Sequence, residues 1–237
     1  MGKNLIQQAR GKGGPNYRSI SFRFKGAAKL PVENKLQCKG VIVDLVKCPG
    51  HLAPLAEIEY ADGSTCLMQA PEGVFVGQEI VHGPGAEPTV GNVLSLREIP
   101  EGTLIYNIEG TPGDGGKYCR TSGVNARIIA KTATTALVML PSKKEHVFHL
   151  NCRAAIGTVA GSGRKEKPFL KAGAKHHLKR SRNKRYPNPS AAAQNAVDHP
   201  FGNKRTSRKA KQRAVGHSAP PGRKVGKLWP RRTGRKK

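Results

Sequence analysis

Leu55-Ala-Glu-Ile-Glu-Tyr60, Ala61-Asp62-Gly63-Ser64 and Thr65-Cys-Leu-Met-Gln-Ala70 follow one another without a break, and this stretch decides the fold class. Two short runs of strand character flank an Asp-Gly pair, which accepts the positive-φ geometry of a tight hairpin turn. Working outward, comparable runs recur at residues 40–46, 74–76, 92–96, 103–108, 127–131, 136–140 and 146–150. A spacing of roughly ten residues, punctuated by Gly, Pro and Asp, is the pattern of small barrels or sandwiches. The stretch His82-Gly-Pro-Gly-Ala-Glu-Pro88 interrupts the series and reads as a joint. The expected fold is therefore mainly β: two small barrels, at residues 36–85 and 86–162, with no helix in either.

Charge is distributed very unevenly around this middle. The 237 residues hold 42 Lys+Arg against 15 Asp+Glu, a net of +27. Residues 1–35 carry eight bases and one acid, residues 36–162 ten and twelve, and residues 163–237 twenty-four and two. A nearly neutral body thus bears a basic N-terminal extension (1–35) and a more strongly basic C-terminal one (163–237). Self-repulsion of that size favours expansion unless a polyanion neutralises it. From residue 161 onward Gly, Pro, Lys and Arg dominate, so the tail lacks the apolar surface to fold alone. Short exceptions are a helix or two turns within 165–180 and one turn within 190–197. The first 35 residues look similarly extended.

Membrane is the weakest choice of polyanion. No apolar run approaches the roughly 18 residues of a spanning helix, and the basic stretches lack an interfacial Trp/Phe/Leu face. The N-terminus has no apolar leader core, and Ile6 stands where an acylation motif wants Ser or Thr. An intracellular, cytoplasmic protein is expected. Cys38, Cys48, Cys66, Cys119 and Cys152 form no CxxC pair, so reduced thiols are expected and no metal site.

Arms of this kind suit structured RNA better than duplex DNA, because no basic amphipathic helix for a major groove is visible. Candidate phosphate contacts in the N-terminal arm are Arg10, Lys12, Arg18 and Arg23. The Gly-rich stretch Gly110–Gly116 lacks the Lys-Ser/Thr of a P-loop and reads as a wide turn. Lys117, Arg120 and Ser122 follow it as a basic, hydroxyl-bearing strand end. In the tail the candidates are Arg164, Lys165, Lys171, Lys175, His176, Arg180, Arg182 and Arg185, then His199, Lys204, Arg205 and Arg208, then Arg223, Lys224, Arg231 and Arg232. His176, His177, Tyr186, Phe201 and Trp229 sit among these bases, where rings either stack on exposed nucleobases or anchor the tail to its own body.

Four stretches in order carry a resemblance: Gly115-Gly-Lys-Tyr-Cys-Arg-Thr-Ser-Gly123, Gly163-Arg-Lys-Glu-Lys-Pro168 with Lys171-Ala-Gly173, Val197-Asp-His-Pro200, and Ala219-Pro-Pro-Gly-Arg-Lys-Val-Gly226. Through them nearly the whole chain resembles the universal ribosomal protein two family of the large subunit, in its archaeal or eukaryotic form. The resemblance implies an OB-like barrel, then an SH3-like barrel, with both extensions running into large-subunit rRNA. It also implies roles in assembly, subunit association, tRNA placement and support of the peptidyl transferase centre, near which it places His199. Implied partners are rRNA with its Mg²⁺, neighbouring ribosomal proteins and the small subunit across an intersubunit bridge, with no membrane, no homo-oligomer and no other cofactor. Phe201 stands where the bacterial pattern has a second His, and Asn-Lys-Arg follows Gly202.

His199 has a reference pKa that permits general-base work, and Asp198 is adjacent. Sequence neighbours in an extended chain point apart, however, so a polar loop histidine contacting RNA explains the same residues. No Ser-His-Asp, HExxH or paired-carboxylate set is present, and no enzyme is expected. The competing readings are a duplex-DNA or chromatin-type basic protein and a nuclease using His199 with Asp198. RNA-versus-DNA competition separates the first from rRNA binding, and turnover abolished by His199→Ala would mark the second.

Overall fold

The computed structural model describes residues 3–31, 37–203 and 214–226. It divides into two compact units, Ser21–Pro168 and Met1–Ile20 with Phe169–Lys237.

The first unit is mainly β. Its strands are β1 (Cys38–Val46), β2 (Leu55–Tyr60), β3 (Thr65–Gln69), β4 (Glu79–His82), β5 (Val93–Ser95), β6 (Leu104–Tyr106), β7 (Ala126–Lys131), β8 (Thr135–Met139), β9 (Glu145–His149) and β10 (Arg153–Ile156). They form one continuous sheet in the order β3-β2-β1-β4-β5-β10-β6-β7-β8-β9. The opening hairpin is present as read: β2 pairs antiparallel with β3, and Asp62 Oδ1 accepts from the Ser64 N–H at 2.9 Å inside the turn, where Gly63 has φ +77°. The joint at residues 82–88 does not interrupt the sheet, because β4 meets β5 in a parallel pairing of His82 with Val93.

Beside a small cluster of Ala28, Cys48 and Leu55, two large hydrophobic clusters form most of the core. One gathers Ile42, Ile58, Met68 and Ile80 from β1–β4, and the other gathers Ile128, Val138 and Phe148 from β7–β9. Strands β5, β6 and β10 serve both. Val93, Tyr106 and Ala155 enter the first cluster, while Leu94, Ile105, Ala154 and Ile156 enter the second. Successive side chains point to opposite faces, so a strand between two cores is apolar on both. That is why Arg153-Ala-Ala-Ile156 shows no alternation and sequence reading passes over β10.

Residues 74–76 were expected as a strand and are not one. Gly73 and Gly77 have φ of +89° and +90° and bracket a turn, leaving Phe75 and Val76 exposed; the strand begins at Glu79. Nor is the N-terminal arm uniformly extended. Residues 6–11 form helix α1 (Ile6–Gly11), whose first turn is capped by Gln8 Oε1 accepting from the Leu5 N–H at 2.8 Å. Residues 28–31 pack into the β unit: Ala28 and Leu30 are buried, the Lys29 N–H donates to the Leu67 carbonyl at 2.9 Å, and that of Leu30 to Gly115 at 2.8 Å.

His82 ends β4 almost fully buried, edge-on to Tyr60 with ring centroids 4.8 Å apart, and neither ring nitrogen has a hydrogen-bond partner among the described residues. Burial first, then the Arg153 charge, lowers its pKa below 6.5 despite Asp62. The unfolded chain therefore binds this proton at higher pH than the folded one does. Stability from His82 is fully present above about pH 6.5 and is lost as pH falls from there toward the lowered folded value. The wild-type chain is expected to melt lower at pH 5.5 than at pH 7.5, and His82→Leu to show a smaller difference. Equal pH dependence in both proteins would remove His82 as the cause.

The second unit contains α1, a 3-10 turn at Pro15–Tyr17, helix α2 (Ala172–Arg180) and a 3-10 turn at Ala191–Ala193. The two tail elements fall within the stretches read as short exceptions to disorder. Helix α2 combines good helix formers with His177, Lys179 and Arg180 in its last turn, where cations suit the carbonyl end of the dipole.

Candidate nucleic-acid interface

The motif Gly115–Gly123 is built around a buried carboxylate. Glu109 is fully buried, and its Oε1 receives Arg153 Nη2 at 2.6 Å and Nε at 3.2 Å. Three backbone N–H groups also donate to it: Gly113 at 3.3 Å, Gly115 at 3.2 Å and Arg153 at 2.9 Å. Arg153 Nη1 completes the network on the Pro31 carbonyl at 2.8 Å. Burial alone would raise the pKa of Asp114, but N–H groups of Thr111, Gly116 and Gly110 and the Lys117 ammonium hold it below the usual value. The Lys117 Nζ to Asp114 Oδ2 distance is 3.2 Å. Gly110–Gly116 is thus a wide turn, held from inside by two carboxylates. At Gly116, φ is +89° and an added Cβ would lie 2.4 Å from Asn107 Oδ1. Gly116→Ala should cost about 1–3 kcal/mol, read as a lower melting temperature; wild-type melting would mean that the turn relaxes around a methyl group.

The sequence-predicted residues here separate into two groups. Lys117 is exposed, and Ser122 Oγ accepts from Arg164 Nε at 3.1 Å, which joins two candidates in one place. Arg120 points inward instead. Its Nη2 donates to the Ala28 carbonyl, and the Gln69 amide oxygen, turned to satisfy both partners, accepts from Nη2 and Nε at 3.1 Å each. Arg120 therefore ties residue 28 to β3 and is half-buried, unlike the exposed Lys117. Arg23, Lys165 and Lys171 are exposed. None of the five cysteines is in a disulfide, and burial pushes the thiols of Cys66 and Cys119 up to about 11.

In the second unit, Asn183 organises the basic residues. It follows α2 with φ +49°, a left-handed position that asparagine tolerates, and its Nδ2 donates to the Arg18 carbonyl at 3.0 Å and the Pro15 carbonyl at 3.3 Å. The N-terminal arm is thereby fastened to the end of α2. Between them lies a cavity of about 360 Å³ lined by Asn16, Tyr17, His176, Arg180, Asn183, Lys184, Arg185 and Tyr186. A second, of about 310 Å³, is lined by Gln7, Arg10, Gly11 and Tyr17. Lys175 Nζ lies 5.4 Å from the Tyr186 ring centroid and 5.9 Å from that of Phe169. Neither cavity has an acidic residue in its lining. Arg10, Arg18, Lys175, His176, Arg180 and Arg185 are brought to this region, and Lys12 and Arg182 lie on the same segments. Sequence reading missed Tyr17 and Asn183. The signal for Asn183 was an asparagine just past a basic helix end; Tyr17 carried none beyond its basic neighbours.

His199 is buried rather than set out in a polar loop. Its Nδ1 accepts from the Phe201 N–H at 3.1 Å, the two rings are 5.2 Å apart, and burial lowers its pKa. Asp198 pairs with Lys3 Nζ at 2.7 Å, so it does not orient the imidazole. Gly202 fits only without a side chain, since a Cβ would meet the Asn195 and Gln194 carbonyls at 2.4 Å. Arg223 and Lys224 are exposed on the last described stretch. Lys204, Arg205, Arg208, Trp229, Arg231 and Arg232 lie outside the described residues.

Residues 89–220 match the family model described as Ribosomal Proteins L2, C-terminal domain. The chain is 46% identical over the full length of both proteins to large ribosomal subunit protein uL2 of Methanothermobacter thermautotrophicus and, equally, to that of Methanococcus vannielii. With the Haloarcula marismortui protein of the same name it shares 45% identity over 99% of this chain and 98% of that one. The matched stretch contains Glu109, Arg120, Arg153 and the Val197–Pro200 loop, and the full-length relatives cover the basic ends as well. The chain belongs to the L2 family of large-ribosomal-subunit proteins, in its archaeal type.

Proposed function

We propose that this chain binds large-subunit rRNA, gripping it with its basic terminal segments while the nearly neutral β unit serves as a docking body. The observation that carries the reading is the pair of acid-free cavities around Tyr17, where Arg10, Arg180, Lys184 and Arg185 surround exposed rings. Cations there neutralise phosphates with release of counterions, and the rings stack on unpaired bases. Lys117, Ser122 with Arg164, Arg223 and Lys224 extend the same surface chemistry. Arg120 acts on RNA indirectly, by fixing the 117–122 segment, which is irregular apart from one bridge of Tyr118 to Ile108 and not the strand end expected from sequence.

On this reading the protein is a non-enzymatic constituent of the cytoplasmic ribosome, supporting subunit assembly, subunit association, tRNA placement and the peptidyl transferase centre. His199 serves that centre as a packed, neutral ring that shapes its loop, not as a proton carrier, because Nδ1 is engaged and Asp198 is paired elsewhere. Mg²⁺ enters as rRNA counterion.

Extraction of purified large subunits with rising monovalent salt tests the reading. The chain should stay bound at physiological ionic strength and leave only well above it, as multiple phosphate contacts require. Release already near physiological salt, with no protection of large-subunit rRNA from chemical probes, would refute it.

A further inference from the structure

The outer face of β1, β2 and β4 has a chemistry opposite to the rest of the chain. In a protein of net charge +27, residues 37–82 hold six acids (Asp44, Glu57, Glu59, Asp62, Glu72, Glu79) and two bases, Lys39 and Lys47. The strand register gathers part of this charge into one row. Val41 pairs with Glu59 across β1–β2 and with Glu79 across β1–β4, and directly paired residues share a face. All three are exposed, as is Val43 beyond them. The Ile42 N–H donates to Gln78 and that of Gly77 to Ile42, at 3.0 and 2.8 Å, so the Phe75–Gln78 turn is held against the edge of β1. Phe75 is 63% exposed, Val76 54% and Val43 49%. Neither Glu59 nor Glu79 has an ion pair among the described residues.

A strand face that carries exposed apolar side chains beside carboxylates repels phosphate and suits a basic, partly apolar partner. We propose that this face docks a basic segment of another protein of the particle, with apolar side chains on Val41, Val43 and Phe75 and Lys or Arg on Glu59 and Glu79. Proteins that bind polyphosphate are made basic by the same counterion argument, so a neighbour on the same RNA supplies the complementary charge. The inference rests on the ribosomal reading above. It assigns RNA contact to the terminal segments and protein contact to this acidic strip.

Zero-length carbodiimide coupling of carboxylates to amines in purified large subunits, mapped by mass spectrometry, tests it directly. Glu59 and Glu79 should couple to lysines of one other subunit protein, and Val41 and Phe75 should be shielded from hydroxyl radicals in the subunit but labelled in the free chain. Coupling to this chain's own tail, coupling between two copies, ultraviolet crosslinks from this face to rRNA, or equal labelling in both states would each overturn the proposal. Glu59→Lys with Glu79→Lys, both outward-facing, should reduce crosslinking of a remaining carboxylate such as Glu57 to the same protein by about tenfold or more, with rRNA affinity not weakened. Undiminished crosslinking in that variant would count against the charge argument. Failure of this test with rRNA binding intact leaves the ribosomal reading standing, whereas loss of rRNA binding by the wild-type chain would overturn that reading instead.

Discussion

Glu109→Ala is expected to lower the melting temperature of the purified chain by roughly 10 °C or more, from a loss of about 3–5 kcal/mol. The effect is large because one side chain holds five donors: two from the Arg153 guanidinium and three from the backbone of Gly113, Gly115 and Arg153. Removing it strands a buried guanidinium and releases the Gly-rich turn. Arg153→Met should cost less, since the remaining carboxylate keeps its three N–H donors. A Glu109→Leu, Arg153→Met double variant should recover only part of the loss, because the backbone donors still lack an acceptor. Thermal unfolding of the three variants checks the order. If Arg153→Met were as damaging as Glu109→Ala, the backbone bonds would contribute little and the ion pair would be the whole effect.

Val138→Asp is expected to abolish cooperative folding or to cost about 4 kcal/mol or more, because Val138 is fully buried on β8 within the second core. Val43→Asp separates burial from mere strand membership. The alternating run at 40–46 suggests the same penalty there, yet Val43 is half exposed at a register shift between Ile42 and Asp44. Gly40 and Ile42 point inward, so Val43, like Val41, points outward in the regular alternation that precedes the shift. Val43→Asp should therefore melt close to wild type. Similar losses in both variants would mean that the outer face of β1 is covered in the free chain.

The same physics explains what was legible in the sequence. The strands at 40–46 and 55–60 and the Asp62-Gly63 hairpin could be read because one face of each strand is buried and the turn demands positive φ. The Arg153–Ile156 strand could not, since burial on both faces erases the alternation. Residues 74–76 look apolar enough for a strand, and only the two flanking glycines, with φ near +90°, show why they turn instead. At the candidate interface, the charge layout marked the segments on which Arg10, Arg180 and Arg185 line the two cavities, because magnitude alone marks them. It could not distinguish Arg120, folded inward onto Ala28 and Gln69, from Lys117, which is open to solvent. Nor could it find Tyr17, whose position depends on Asn183, 166 residues away in the chain. Such long-range contacts leave no mark on local pattern.

The salt dependence of binding to large-subunit rRNA tests the central claim most directly. It would be measured for the wild-type chain, for Arg180→Gln with Arg185→Gln, and for a chain with Lys204, Arg205, Arg208 and Lys209 all replaced by Gln. The wild type should show a steep linear fall of log affinity with log salt. Each neutralised phosphate contact should reduce that slope by about one unit or slightly less. A shallow wild-type slope, or slopes unchanged in both variants, would contradict a grip on rRNA by the basic ends.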